Sequence, residues 1–171
     1  MTDDLSSYRP SRLWRRMPLA RRLLAAELFW ADEHSADQQL EAVGSIATHM
    51  KFRPRSVVAL PPEKKAKYLA TLPNVSDSVA ARALVNYHLD QQRPMMGAFL
   101  DLLGIPHENG LISEETVAKP ETDKVKHAVS ELATRFPAED VSLYLGTLVS
   151  QDPDTWGTLA DLPESRTEKV V

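Results

Sequence analysis

The chain contains no cysteine. Disulfides, thiolate zinc sites and a cysteine nucleophile are therefore excluded, and a metal would have to sit on His, Asp and Glu. Only five histidines are present for that role. No apolar run approaches the ~18 residues that span a bilayer. The opening MTDDLSSYRPS is acidic and polar, without the charged-then-apolar order of a secretory signal. The expectation is a cytoplasmic protein with no membrane partner. Alternating β-branched strand patterns are missing; the best, Ser56-Val57-Val58-Ala59-Leu60, is short and isolated. The HExxH, HxH and Glu-x-x-His spacings are absent, as are nucleophile elbows, Walker loops and dinucleotide fingerprints. No metal and no cofactor is expected.

What is present reads as helix. Of the 171 residues, 43% are hydrophobic and 26% charged, which is enough apolar content for a folded core and argues against disorder of the whole chain. Apolar residues recur at three- and four-residue steps: Leu13, Met17, Ala20, Leu24, Leu28 and Ala31, with Pro18 in the first turn of the longer helix. Ser35-Ala36-Asp37-Gln38 fits a capping box ahead of a stripe of Leu40, Val43, Ala47 and Met50. Pro61-Pro62 starts a helix carrying Ala66, Leu69 and Leu72. Ser76 or Asp77 caps another, with Val79, Ala80, Ala83, Leu84 and Tyr87 inward. Pro94 begins a fifth, ended by Gly104 and Pro106. Thr122 caps an amphipathic helix with Val125, Ala128, Val129, Leu132 and Phe136 on one face. A helix over 137–149 and a short one near Thr155 follow.

The spacing predicts an all-α fold, a single-domain bundle of about seven to eight short antiparallel helices. The helical domain is placed at 11–163, between tails at 1–10 and 164–171. Gln91, Gly97, Asp101 and Leu102 recur sixty residues on as Gln151, Gly157, Asp161 and Leu162, which is compatible with two stacked three-helix units.

The stretch YHLDQQRPMMGAFLDLLGIPHENGLI, residues 87–112, holds the most apolar run in the chain. Residues 94–103 are apolar almost all round, apart from a strip formed by Gly97 and Asp101. That pattern belongs in the middle of a fold. Asp101 lies in the last turn of its helix, where the macrodipole disfavours a carboxylate, so an Arg or another helix N-terminus is expected beside it. Gly97 leaves room for that partner to approach, and the pair reads as a structural clamp. A lone His at a core edge, such as His88, is ordinarily a satisfied hydrogen-bonding residue. Ile105, Leu111 and Ile112 are expected to pin the following loop, leaving His107 to Gly110 as an exposed tip. His88, Asp101, His107, Glu108 and Asn109 are the candidate ligand or partner contacts. His88, Asp101, His107 and Glu108 also have the N/O donors of an acid–base or metal site, although the spacing matches no known motif.

Charge is uneven along the chain. The formal net charge is −4, yet residues 1–60 carry nine Lys/Arg against seven Asp/Glu, and residues 61–171 carry eleven against seventeen. Six arginines lie between Leu5 and Ala26 with no acid among them, and Lys51, Arg53 and Arg55 form a second small cluster. On one continuous helix Arg12, Arg15, Arg16 and Arg22 would share a face flanked by Trp14. Such a face suits an anionic partner, or pairing with acids of the same chain such as Glu114, Glu115, Glu121 and Asp123. Three functions follow. The favoured one is a non-enzymatic module that binds another protein or itself. The others are an enzyme built on His88, Asp101, His107 and Glu108, and a nucleic-acid-associated regulator using the arginine cluster.

Overall fold

Proline sets the start of most of the helices. It stands at the first position of α1 (Pro10–Arg16), α4 (Pro54–Val58), α5 (Pro62–Thr71) and α10 (Pro153–Trp156), and in the first turn of α7 (Arg93–Leu103). It is the residue before α2 (Leu19–Ala31) and α9 (Ala138–Gln151). A ring that fixes φ and lacks an N–H is tolerated in those places and nowhere deeper in a helix. The remaining helices are α3 (Ala36–Met50), α6 (Asp77–Gln91) and α8 (Thr122–Arg135). The computed structural model describes residues 5–113 and 117–166. Among these the fold is all-α, with ten α-helices and one two-stranded hairpin, β1 (His107–Glu108) and β2 (Leu111–Ile112). The surplus over seven to eight lies in short pieces. The best strand candidate, 56–60, instead lies largely within α4.

The chain forms two compact units, one over 10–90 and the other combining the N-terminal residues through Arg9 with the chain from Gln91 onward. In the 10–90 unit, α2 packs extensively on α5. Small side chains permit this: Ala25 and Ala26 on α2, and Ala66 and Ala70 on α5, are fully buried beside Phe29 and Leu69. The expected α2 stripe is therefore rotated. Ala20 and Ala31 are exposed and Leu24 and Leu28 only half-buried, because the break at Met17-Pro18 resets the helical phase. On α3 the buried residues are Ala42, Val43, Ile46 and Ala47, and Leu40 is 71% exposed.

The capping box does not form. Ser35 precedes α3 but its hydroxyl makes no cap bond; it donates to Asp32 and accepts from Arg82 Nε at 2.9 Å. Arg82 also donates to the His34 carbonyl at 2.9 Å, and Asn86 to Asp32 at 3.1 Å. The Ser35 hydroxyl, then the His34 amide, hold the Asp32 carboxyl below the usual carboxylate range. This polar knot ties the α2–α3 connection to α6.

In the other unit α9 is the most enclosed helix: every residue from Asp140 to Val149 is buried. It packs against α8, α10 and the 3-10 turns Leu5–Tyr8, Gly157–Asp161 and Pro163–Ser165. The expected tails are partly structured. Tyr8 is buried, its hydroxyl 2.9 Å from Ser165 Oγ, so residues near both ends meet. Residues 167–171 lie outside the described residues. Thr122 is the first residue of α8 rather than its cap, which is Glu121. The sixty-residue repeat joins unlike elements: Gly97, Asp101 and Leu102 lie on α7, whereas Gly157 and Asp161 bound a 3-10 turn.

Candidate functional site

Two adjacent residues with positive φ, Asn109 (51°) and Gly110 (88°), close the β1–β2 hairpin. Asn-Gly suits a two-residue loop whose central positions both need φ > 0. His107 pairs with Ile112 and Glu108 with Leu111. The hairpin lies on α7: Arg93 donates to the Asn109 carbonyl at 2.9 Å. Gly110 is buried so closely that a Cβ there would stand 2.9 Å from Met96 Cβ and 3.0 Å from the Arg93 carbonyl.

The expectation of an exposed tip from His107 to Gly110 is therefore corrected. Glu108 and Asn109 are exposed, but Gly110 is buried and the His107 side chain is only 14% exposed. Leu111 does not pin the loop; it is 53% exposed, while Ile105 is buried.

Asp101 has a partner, but it is neither an arginine nor a helix N-terminus. His107 Nε2 lies 2.7 Å from Asp101 Oδ1. The other ring nitrogen, Nδ1, accepts the Gly110 N–H at 3.0 Å. A nitrogen that accepts carries no proton in the neutral ring, so His107 is the Nε2–H tautomer and donates to Asp101. The ring reaches α7 over Gly97, where an added Cβ would lie 3.2 Å from His107 Cε1. The glycine thus provides the close approach expected of it. In this arrangement both ring nitrogens are engaged within the chain and neither is left to take a substrate proton.

The other candidates do not join this pair. His88 belongs to the 10–90 unit and Asp101, His107 and Glu108 to the other. His88 is buried, with Nδ1 donating to the Leu84 carbonyl at 2.8 Å, and burial pushes its pKa down to about 4. Among the described residues no three His, Asp or Glu side chains gather as metal ligands would. Beside Asp101 runs an open groove of about 380 Å³, lined by Pro94, Gly97, Ala98, Asp101, Leu102 and Arg135.

The hairpin's dependence on its glycines is testable. Gly110→Ala combines a disfavoured φ with a clash against backbone and is expected to cost about 2–3 kcal/mol. Gly97→Ala, whose one tight contact is the His107 side chain and which gains helix propensity, is expected to stay within about 1 kcal/mol of the wild type. Urea denaturation measures both, and equal losses would contradict the docking described. Asp101→Ala removes one largely exposed bond and is expected to cost about 0.5–1.5 kcal/mol. The companion observation is the nitrogen shifts of His107 at pH 8, which should show the Nε2–H tautomer; an Nδ1–H ring would return a nitrogen to chemistry.

The arginine cluster is divided. Arg12, Arg15 and Arg16 lie exposed on α1, but Arg22 is on α2 beyond the break, half-buried. Trp14 does not flank a charged face, being 1% exposed in the core. Arg15 donates to the Pro73 carbonyl at 3.3 Å. Glu114 and Glu115, proposed partners of the cluster, lie outside the described residues.

A larger basic surface was only half visible in the sequence. The T-shaped contact of Phe52 with Tyr68, centroids 6.0 Å apart, brings Lys51 and Arg53 to the side of α5. There Lys64 and Lys65 lie one turn before Tyr68, with Lys65 Nζ 5.3 Å from the Trp30 ring centroid. Comparison with protein families, with curated proteins and with solved structures finds no match to this chain.

Proposed function

We propose that the chain is a non-enzymatic helical protein-interaction module whose first partner is a second copy of itself. The observation that carries this reading is the distribution of charge between the two compact units. Residues 10–90 carry twelve Lys/Arg against eight Asp/Glu, a net +4; the rest of the chain carries eight against sixteen, a net −8. Opposite net charge on the two units favours encounter between copies and selects their orientation. The engagement of both His107 nitrogens supports a structural rather than catalytic use of the most chemically suggestive pair. Among the described residues no helix is long and apolar enough to cross a membrane.

Zero-length carbodiimide coupling joins a lysine to a carboxylate only where the two already touch. Applied to an equal mixture of isotopically light and heavy chains, it is expected to yield mixed light–heavy peptides at low salt and few at high salt. Absence of mixed peptides at low salt would refute the reading.

A further inference from the structure

We infer that self-association runs head to tail, the basic face around Lys51–Lys67 of one copy seating the acidic segment Asp152–Glu164 of the next. This inference rests on the interaction-module reading above and assigns its surfaces. Between Lys51 and Lys67 stand six cations, Lys51, Arg53, Arg55, Lys64, Lys65 and Lys67, and a single acid, Glu63. All but the half-buried Lys65 are exposed. Packing of α3 on both α4 and α5 gathers these short segments. No carboxylate of the 10–90 unit forms an ion pair with any of the six. Within the same stretch Phe52 is 38% and Val58 57% exposed, so the face offers apolar contact as well as charge.

An anionic occupant would complement this surface, and the chain itself supplies one. Between Asp152 and Glu164 there are four acids, Asp152, Asp154, Asp161 and Glu164, and no base. The nearest cation in sequence, Arg166, donates to the Ala160 carbonyl. Asp152, Asp154 and Asp161 are exposed. The segment is held in shape by α10 and two 3-10 turns packed against α9, so binding it requires little ordering. Two different surfaces meeting make a heterologous contact, which repeats in rings or open chains rather than stopping at a symmetric pair. A nucleic acid would also fill a basic face, but the excess of acid over base in the whole chain disfavours it.

The test uses two full-length variants. In one, Arg53, Lys64 and Lys67 are changed to Glu; in the other, Asp154, Asp161 and Glu164 are changed to Lys. Circular dichroism checks that each keeps its helices, and Gln or Asn replacements at the same sites provide milder versions. By light scattering at low salt the wild type should grow in mass with concentration, and each variant alone should associate at least about tenfold more weakly. Mixed one to one, the neutral Gln and Asn versions retain one complementary pair of faces and should form a dimer that grows no further, whereas the two reversed variants carry two complementary pairs and should regain growth. Variants that associate like the wild type would overturn this assignment while leaving the module reading intact. A wild type that stays monomeric would overturn the module reading itself. Salt-steep binding of a mixed-sequence oligonucleotide, lost with the three basic reversals while self-association persists, would give the face to nucleic acid and overturn the inference.

Discussion

Phe99→Ala is expected to lower the unfolding free energy by about 3–5 kcal/mol, the range for removing a fully enclosed aromatic ring. Phe99 has no exposed surface, meets Tyr144 edge-on with centroids 5.7 Å apart, and lies 5.9 Å from Trp156. It therefore joins α7, α9 and α10, and its loss leaves a cavity that three helices would have to close together. Leu102, three residues on, lines the open groove and is half-buried. Leu102→Ala should consequently cost distinctly less. Urea melts of the two variants measure the difference, and a loss below about 1 kcal/mol for Phe99→Ala would show the helix to be peripheral.

The second large effect is pH dependence through His88. Burial favours its neutral form and sets the folded pKa at about 4, against 6.5 for the ordinary side chain. Between those values the unfolded chain binds a proton that the folded chain does not, so stability rises with pH. The stabilisation is fully present above the unfolded pKa and is lost as pH falls towards 4, by roughly 3 kcal/mol in total. Comparing urea melts at pH 7.5 and pH 4.5, His88→Leu should lose much less stability than the wild type. Parallel losses in the two proteins would contradict the burial of a neutral imidazole.

The all-α class was legible because patterning alone carries it: helical spacing runs from Leu13 to Val149, and proline and glycine mark the ends. Helix phase was less legible where alanine does the packing. Leu40 outweighs Ala42 in any reading by size, yet the α3 face carries Ala42, Val43, Ile46 and Ala47. The clamp at Asp101 was half legible. Dipole reasoning called for an arginine or another helix N-terminus and Gly97 marked the approach, but the partner was His107, from across a six-residue loop closure that periodicity cannot see. The hairpin was missed because two-residue strands have no alternation to detect. The basic face was split in sequence between the 51–55 cluster and α5. Tertiary packing joins them, through the Phe52–Tyr68 contact and the packing of α3 on α4 and α5.

In the proposed self-association, oppositely charged surfaces of this chain bind one another between copies. Sedimentation velocity of the full chain, over a hundredfold range of concentration at low and at high salt, tests it most directly. The predicted result is a weight-average sedimentation coefficient that climbs with concentration at low salt and flattens at high salt, as screening shortens the reach of exposed charges. A single concentration-independent monomer boundary at low salt would contradict it.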